Sequence, residues 1–510
     1  MDSWKALDRR SFIKGTVLAS SLTAWPALAE TPLVKVSVDT RQTTGPLPHV
    51  WSECAGSDRA AITLRESWRR DLDRWRSEAG LKRVRFHGIF ADELGVYAPS
   101  VLNRRSDAPP NFQNVDRVYD GLLQHGVSPF VELSFMPKRL ASGAGTFGFY
   151  NANTTPPKST EEWAQFIRTF VVHLVDRYGL STVRTWPFEV WNEPDLPFFW
   201  TGNQQQYFDL YKATAVAIKS VDQGLQVGGP ATSKSAWIAE FSAFCGQNNA
   251  PCDFISTHTY SGDNQATVFG PGVQLPEADV ISEAIRRARQ KIDASALKGR
   301  PLWLTEWSSD SPAMMVHIIK GCLPNLHAMS HWTLSGTYEE LGVADYVLKE
   351  GDIGFGTIMQ GIARPSFNTY KLLYALGDQQ VAGEGPVLAS RRQGRSIAAL
   401  VWNLAEVKQP SGVPGQSHTR TVNGETKRYQ VEFKGARPGQ QVRVRYVDQK
   451  LGSPMPAWRA MGSPQYPTMQ QIERLRQAAE IPSAQTQRLD GAGRLMLTLP
   501  PEGVALVEFV

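Results

Sequence analysis

The stretch WPFEVWNEP, residues 186–194, decides how the rest of the sequence is interpreted. Its apolar residues are typical of a buried strand. They end at Asn-Glu-Pro, and a proline cannot continue a strand ladder. Asn192 and Glu193 are therefore predicted at the C-terminal tip of a strand. A carboxylate there, with Trp191 and Trp200 nearby, indicates carbohydrate chemistry, which needs a second carboxylate from elsewhere in the chain.

Strand-like and helix-like segments alternate eight times around this stretch. The clearest helix is residues 62–79, where Leu64, Trp68, Leu72 and Trp75 fall on one face. The predicted strands are residues 50–55, 84–87, 128–135, 188–192, 225–229, 254–260, 302–307 and 329–334. The predicted helices between them are residues 62–79, 115–125, 160–178, 204–221, 235–245, 277–293 and 313–323.

This alternation predicts an α/β protein with a parallel sheet. Eight units over roughly 330 residues fit a (β/α)₈ TIM barrel. An open, doubly wound sheet is the alternative. It has no support from a phosphate-binding loop, because residues 143–145 (GAG) lack a third glycine.

The sequence changes character after a last barrel helix at residues 365–377. Strand-like runs at 396–403, 428–433, 441–447 and 495–510 are separated by Gly and Pro turns, with a helix at 467–480. Residues 33–39 alternate apolar and polar and are expected to join the same sheet. We therefore predict an N-terminal strand region at 30–48, a catalytic barrel at 49–378 and an accessory β-sandwich-like domain at 379–510.

Residues 1–29 have the features of a twin-arginine signal peptide. The motif DRRSFIK (8–14) precedes a weakly apolar stretch, and ALA (27–29) fits a small-x-small cleavage site. The apolar run is too short and too interrupted to span a bilayer. We expect a mature chain beginning near Glu30, without a membrane anchor, in a periplasmic or secreted location. A frayed cytosolic N-terminus is the alternative.

Charge and cysteine content exclude several classes of site. The sequence has 54 basic and 49 acidic side chains and no long basic run, so nothing indicates nucleic-acid binding. The four cysteines, Cys54, Cys245, Cys252 and Cys322, lack the paired spacing of a zinc site. Cys245 and Cys252 bracket a short polar loop and are either a disulfide or two free thiols. No metal or organic cofactor is expected.

Glu306 is the predicted second carboxylate. It follows the strand-like run LWLT (302–305), as Glu193 follows its own strand. TIM-barrel enzymes build their active sites at these strand tips. Either glutamate alone is more often an ordinary surface carboxylate. Together they give the two carboxyl groups that glycoside hydrolysis requires.

Several segments resemble glycoside hydrolase family 39, and within it the β-D-xylosidases. They are RFHG (85–88), FVE (130–132), FMPK (135–138), the stretch 186–194, VGGP (227–230), His258 with Tyr260, and WT (332–333) with EE (339–340). The similarity extends from about Trp51 into the C-terminal sheet.

The resemblance implies a retaining mechanism, with Glu193 as general acid/base and Glu306 as nucleophile. Asn192 would bind the sugar 2-hydroxyl, and Tyr260 would hold Glu306. The remaining implied substrate contacts are His87, Phe135, His258, Trp332, Glu339 and Glu340. Which of Glu339 and Glu340 contacts sugar is left open, as are structural roles for the histidines and barrel packing for Trp332.

The predicted function is exo-acting hydrolysis of terminal β-D-xylose from xylo-oligosaccharides through a covalent glycosyl-enzyme. One alternative is the same machinery on another glycan, as in an α-L-iduronidase or an endo-acting polysaccharide hydrolase; Lys138 is the nearest basic residue for a uronic acid. A sugar-binding barrel without catalysis is another alternative, and it would require a misplaced carboxylate. Residues 307–331 are shorter than is usual in the family, so the oligomeric state is not inherited from the resemblance.

Overall fold

The computed structural model describes residues 31–97, 108–340, 342–343, 346–351, 356–392, 396–408 and 420–510. The predicted signal peptide lies outside these residues. None of the helices in the described ranges combines the length and apolarity needed to cross a membrane.

The strands follow in chain order. They are β1 Leu33–Pro46, β2 Cys54–Arg59, β3 Arg83–His87, β4 Ser128–Leu133, β5 Thr146–Phe147, β6 Ala152–Asn153, β7 Pro187–Val190, β8 Gln226–Thr232, β9 Phe254–His258, β10 Leu302–Trp307, β11 Ala328–His331, β12 Ile358–Met359, β13 Ile362–Ala363, β14 Gln379–Glu384, β15 Val387–Arg391, β16 Ile397–Trp402, β17 Glu406–Lys408, β18 Thr421–Asn423, β19 Lys427–Lys434, β20 Gln441–Val447, β21 Gln485–Arg488, β22 Arg494–Leu499 and β23 Val504–Phe509.

The helices connect and cover these strands. They are α1 Glu66–Ala79, α2 Gln113–Gln124, α3 Thr160–Tyr178, α4 Leu180–Val183, α5 Gln204–Val221, α6 Ile238–Asn248, α7 Gln265–Phe269, α8 Glu277–Asp293, α9 Pro312–Cys322, α10 Pro365–Tyr374, α11 Met455–Ala460 and α12 Met469–Ala478. Short 3₁₀ turns occupy Val50–Ser52, Ala60–Leu64, Asp92–Leu94 and Ser233–Ser235.

The predicted barrel is confirmed. Eight parallel strands close in the order β2-β3-β4-β7-β8-β9-β10-β11 and back to β2. Helices α3, α5 and α8 have the predicted bounds. Two of them begin at residues whose side chains cap the helix: Ser159 accepts from Glu162 N, and Asn203 forms a reciprocal capping box with Gln206.

The first barrel strand was predicted at the wrong place. Residues 50–52 form a buried 3₁₀ turn, and the strand begins at Cys54. Ser52 Oγ donates to Ala79 O (2.9 Å), which ties this turn to the end of α1 at the base of the barrel. The run is apolar because it is buried there. The true strand, CAGSDR, is also buried, but its last residues are polar because Asp58 and Arg59 bind Glu339 at the mouth.

The accessory region is a nine-stranded mixed sheet in the order β21-β20-β23-β16-β15-β14-β1-β19-β22. As predicted, the N-terminal strand belongs to it: β1 pairs in parallel with β19, with Val36 opposite Val431, and antiparallel with β14. Residues 495–510 were wrongly predicted as one strand. They form β22 and β23, which pair with different neighbours, because Pro500 and Pro501 lack the N–H groups needed to continue a ladder.

This sheet is buried on both faces where it meets the barrel. In β16, Ala398, Leu400 and Trp402 contribute to the core shared with the barrel. The alternate residues Ile397, Ala399 and Val401 contribute to a second core inside the accessory domain. Successive strand residues point to opposite faces, so a strand buried on both sides reads as one continuous apolar run.

The candidate disulfide is not formed. Cys245 and Cys252 are free, buried thiols. Cys252 Sγ donates to Phe254 O at 3.2 Å, and a hydrogen bond between the two thiols, together with burial, raises the pKa of Cys245. Both sulfurs therefore have polar partners without a covalent bond. Cys54 and Cys322 are also free and buried.

Candidate active site

The two predicted carboxylates meet over the barrel mouth. Glu193 lies three residues beyond β7, and Glu306 lies near the end of β10. One carboxyl oxygen of each lies within 4.8 Å of the other, and both side chains are almost fully buried. The backbone of Glu193 has φ of +40° and is held by its N–H bond to Ala231 O (2.9 Å). A non-glycine residue in this region indicates local backbone strain of the kind found at functional sites.

Arg85 lies at the centre of the site with no exposed surface. Its guanidinium donates to Glu189 Oε2 (2.6 Å) and to Glu306 Oε1 (2.8 Å). It also donates to Asn192 Oδ1 (2.9 Å) and lies 2.9 Å from Glu132 Oε2. Burial alone would lower the pKa of Arg85, but the surrounding carboxylates, Glu189 first among them, raise it. A permanent positive charge is thus fixed beneath Glu306.

Glu306 is held on both oxygens. Arg85 donates to Oε1, and the Tyr260 hydroxyl donates to Oε2 at 2.8 Å. The backbone N–H of Tyr260 is itself held by Asp263 Oδ2 at 2.8 Å. A positive charge and two hydrogen bonds stabilise an ionised carboxylate and fix its orientation.

Glu193 has a contrasting environment. Burial raises its pKa to about 8, and the nearby carboxylates of Asp195 and Asp263 contribute to the rise. His258 Nδ1 lies 3.0 Å from Glu193 Oε1. Burial also lowers the pKa of His258 to about 4, so this imidazole is neutral at neutral pH and adds no positive charge. Glu193 is therefore protonated near neutrality, while both oxygens of Glu306 accept hydrogen bonds, one of them from the Arg85 cation.

Asn192 and His87 surround the point between the two carboxylates. The Asn192 carbonyl oxygen accepts from Arg85, which leaves its amide Nδ2 pointing away and, among the described residues, without a hydrogen-bond partner. His87 Nδ1 lies 2.7 Å from Glu132 Oε2, and Nε2 lies 3.6 Å from Glu306. Burial opposes its protonation, but the carboxylates, Glu132 foremost, raise the pKa of His87 to about 10. Both residues offer donors to a ligand.

The predicted contacts from the end of β11 lie across the mouth. The ring of Trp332 packs on His87, with centroids 4.6 Å apart. A Cβ on Gly56 would come within 2.7 Å of Trp332 Cε3, so only glycine allows the indole to lie against β2. Glu340 accepts from Tyr150 (3.2 Å) and Tyr338 (2.9 Å) and lies 3.8 Å from His87 Nε2.

The partners of Glu339 and Phe135 are residues other than the two carboxylates. The Glu339 carboxylate is bound by Arg59 (3.1 Å) and Arg65 (2.7 Å), so its oxygens are already neutralised by cations. The structure therefore favours Glu340 over Glu339 beside the carboxylate pair. Phe135 is fully buried, stacked on Phe199 at 6.1 Å and 6.2 Å from His87, and forms the hydrophobic floor next to the site.

Three central residues received no role from the sequence, although the segments containing them were noted. They are Arg85, Glu132 and Glu189, all charged and all within predicted barrel strands. The available signal was a charge inside an otherwise apolar strand, because such a residue must find a partner inside the barrel. The order of the strands decides which charged side chains become neighbours. In the barrel, β4 pairs with β7, and Glu132 is the register partner of Glu189.

Within the described residues, one group has the geometry to bind a metal ion. Glu193, His258 and Glu306 each offer one atom, all within 4.8 Å of one another. Two of these side chains are the carboxylate pair itself, and Glu306 is already bound by Arg85 and Tyr260 on its two oxygens. The arrangement of an acid, a carboxylate and hydroxyl-binding groups is what hydrolysis of a glycosidic bond requires.

Comparison with known proteins agrees with this chemistry. The family model for glycosyl hydrolases family 39 matches residues 34–495. The chain belongs to glycosyl hydrolases family 39. The match covers both the barrel and most of the accessory sheet, and this family 39 protein is a glycoside hydrolase.

Relatives of this family 39 hydrolase cover nearly the whole chain. A "Beta-xylosidase" of Caldicellulosiruptor saccharolyticus is 35% identical over 88% of this chain and 92% of its own length. A "Beta-xylosidase" of Geobacillus stearothermophilus is 32% identical over 90% of this chain and 92% of its own length. The crystal structure of a monomeric β-xylosidase from Caulobacter crescentus superposes with a TM-score of 0.81 at 32% identity, covering 93% of this chain and 99% of that one.

Proposed function

We propose that this protein is a retaining, exo-acting β-xylosidase that removes terminal β-D-xylose from xylo-oligosaccharides. The substrate class is supported by two relatives named β-xylosidases that align over most of both chains. Retention is supported by the separation of the two carboxyl groups. Retaining glycosidases place them about 5 Å apart, whereas inverting enzymes leave about 6.5–9.5 Å for a water molecule. Oxygens of Glu193 and Glu306 within 4.8 Å of each other fit the first class.

In the first step, Glu306 attacks the anomeric carbon of the terminal sugar. A bond forms between that carbon and a Glu306 oxygen, and the glycosidic bond breaks. Glu193 gives its proton to the leaving oxygen, which its raised pKa permits near neutral pH. Asn192 Nδ2 donates to the sugar 2-hydroxyl, because its carbonyl oxygen is already bound by Arg85.

In the second step, water replaces Glu306. Glu193, now ionised, removes a proton from water as the water oxygen attacks the anomeric carbon. The bond to Glu306 breaks and the carboxylate returns to Arg85 and Tyr260, whose hydrogen bonds stabilise its negative charge. Two inversions give a product with retained configuration.

Exo action is supported by the side of the mouth opposite Glu193. Strand β11 stands directly across the closed ring from β7. The Tyr338 ring packs edge-on to Trp332 and its hydroxyl binds Glu340, while Tyr150 binds the other oxygen of that carboxylate. A sugar whose leaving group faces Glu193 would have its far hydroxyls against these side chains, which we propose close the site to a further residue.

A neutral sugar also suits the charges of the site better than a uronic acid. The buried cations nearest the carboxylate pair, Arg85 and His87, are each engaged by carboxylates, and the buried Arg59 is paired with Glu93 and Glu339. Lys138, considered for a uronic acid, has a side chain that is 68% exposed and lies 3.9 Å from Asp92. It is directed to solvent rather than to Glu306.

The test is hydrolysis of xylohexaose labelled at its reducing end, followed over time with NMR of the released sugar. We expect xylose as the first product, initially as the β-anomer, and a labelled series shortening by one residue. Glu306→Ala should lower turnover of an aryl β-xyloside by about a thousandfold or more. Early release of α-xylose would exclude a retaining mechanism. Early internal cleavage would exclude exo action. Preference for an iduronide over the β-xyloside would exclude β-xylosides as the substrate class.

A further inference from the structure

A continuous row of aromatic rings leads from the site to the protein surface beside Glu193. Phe199 lies 5.9 Å from His87, ring centre to ring centre. Phe147 lies 4.3 Å from Phe199, and Phe198 stacks on Phe147 at 5.8 Å with 27° between the rings. We call Phe199, Phe147 and Phe198 the aromatic wall.

The outer end of the aromatic wall is open to solvent. Phe199 is only 7% exposed, whereas Phe198 is 48% exposed. Isolated apolar side chains on a protein surface are common and need no explanation. Phe198 differs because other rings support it and because the row continues inward to a residue of the active site. Phe198 is therefore the solvent-exposed end of a row of rings that begins at the active site.

The position of the aromatic wall relative to Glu193 is fixed by backbone contacts. Leu196 N donates to Glu193 O, and Trp200 N donates to Leu196 O, both at 3.0 Å. The Trp191 indole N–H binds Phe199 O at 2.9 Å. These bonds fold the segment from Glu193 to Trp200 into consecutive turns. The wall is therefore part of the same rigid unit as the proposed acid.

The second component of the wall is fastened to that unit. Phe147 belongs to the β5–β6 hairpin, in which it pairs with Ala152. The residue after the hairpin, Thr154, accepts a hydrogen bond from Thr201 N at 3.0 Å. Backbone hydrogen bonds thus hold the hairpin that carries Phe147 against the segment that carries Phe198 and Phe199.

The proposed reaction indicates which part of the substrate lies beside the aromatic wall. The group protonated by the acid is the leaving oxygen, so the leaving portion of the substrate lies on the Glu193 side. We infer that the aromatic wall is the aglycone subsite, with Phe198 stacking on the first ring of the leaving group. The occupant is a ring with an apolar face: the second xylosyl residue of an oligosaccharide, or an aryl group. This inference rests on the proposed function. It adds that the aromatic wall determines which leaving groups the enzyme prefers.

Stacking on an aromatic ring suits this occupant. The C–H face of a pyranose and the face of an aryl ring both pack against the face of a phenylalanine. Such contacts are made equally in the bound substrate and in the transition state of the first step. Their loss should therefore appear mainly in KM.

The decisive experiment compares Phe198→Ala on two substrates. Xylobiose has a leaving-group ring, whereas methyl β-xyloside has none. We expect KM for xylobiose to rise roughly tenfold with little change in kcat, and the change for methyl β-xyloside to stay below about twofold. Phe198→Trp, which keeps an aromatic face, should restore most of the affinity for xylobiose.

The matched control is Tyr374→Ala. Tyr374 is 45% exposed, close to the exposure of Phe198, but it lies at the end of α10 near Gly80, at the opposite end of the barrel. Its replacement should leave KM and kcat unchanged for both xylobiose and methyl β-xyloside. Equal losses on xylobiose and methyl β-xyloside in Phe198→Ala, or no loss on either, would overturn the aglycone assignment. If the unmodified protein cleaves neither xyloside, the proposed function fails first, so the two failures are distinguishable.

Discussion

At the scale of single residues, the two glutamates acquire different roles from their surroundings. Glu306 is bound by a cation and a phenolic hydroxyl. Glu193 is buried beside two acids and a neutral histidine, which favours its protonated form. Two identical side chains are thus suited to different roles, as in other glycosidases whose carboxyl groups have contrasting environments.

The raised pKa of Glu193 predicts the alkaline limb of the pH profile. The acid must be protonated to act, so kcat/KM for an aryl β-xyloside should be constant below this pKa and fall as pH rises through about 8. Glu193→Gln should lose about 10²–10⁴-fold on a poor leaving group and much less on a dinitrophenyl leaving group, which needs no acid.

A neighbouring acid provides the matched variant. Asp195 contributes to the raised pKa of Glu193 through its negative charge. Asp195→Asn removes that charge and should move the alkaline limb to lower pH. A profile that remains unchanged in this variant, or that persists in Glu193→Gln, would assign the limb to another group.

The sequence pattern predicted both glutamates, because each follows an apolar run at a strand tip, and the resemblance to the family implied most of their neighbours. It did not predict the partners of Arg85. Strands β3, β4 and β7 are far apart in the chain and become adjacent only in the closed barrel. The contact of Arg85 with Glu132 and Glu189 is a property of strand order rather than of local sequence.

At the scale of secondary-structure elements, β1 shows how a short segment stabilises a distant domain. It lies between β14 and β19 within the nine-stranded sheet, and Val38 is fully buried in the accessory core. The stability of the accessory sheet, which shares core residues with the barrel, should depend on this strand, although β1 precedes the barrel in the chain.

Val38→Ala should therefore destabilise the protein by about 2 kcal/mol, since it removes buried carbon and leaves a cavity. The control is Lys35→Ala, on the same strand but exposed. Thermal melts of the two variants measure the difference. Equal melting temperatures would show that β1 does not contribute to the stability of the sheet.

The errors in predicted elements have a common cause. Residues 50–52 are apolar because the base of the barrel covers them, and the last residues of β2 are polar because they bind Glu339 at the mouth. Both segments are buried, so apolar character did not separate them, and strand formation depends on whether neighbouring backbones are available for pairing. The helices with capping residues, α3 and α5, were predicted with correct bounds because their start signals are local.

At the scale of the whole molecule, the twin-arginine segment predicts export of the folded enzyme. Changing Arg9 and Arg10 to Lys should leave an uncleaved precursor in the cytoplasm, while the unchanged protein should appear outside it with a chain beginning near Glu30. Cell fractionation and N-terminal mass analysis measure both outcomes.

The matched control for export is the pair Arg286→Lys and Arg287→Lys, which lies on the surface of α8. This variant should be exported normally. Normal export of the Arg9 and Arg10 variant, or cytoplasmic retention of the unchanged protein, would contradict the signal-peptide prediction.

The sequence by itself determined the strand–helix alternation, the strand that ends within the stretch 186–194 and the presence of two carboxylates at or just beyond strand tips. These are local properties, since apolar period and chain-breaking residues act over a few positions. Only the tertiary structure decided the separation of Glu193 and Glu306, the binding of Arg85 by four partners and the different partners of Glu339 and Glu340. Each of these depends on closure of the barrel, which brings together side chains from strands that are distant in the chain.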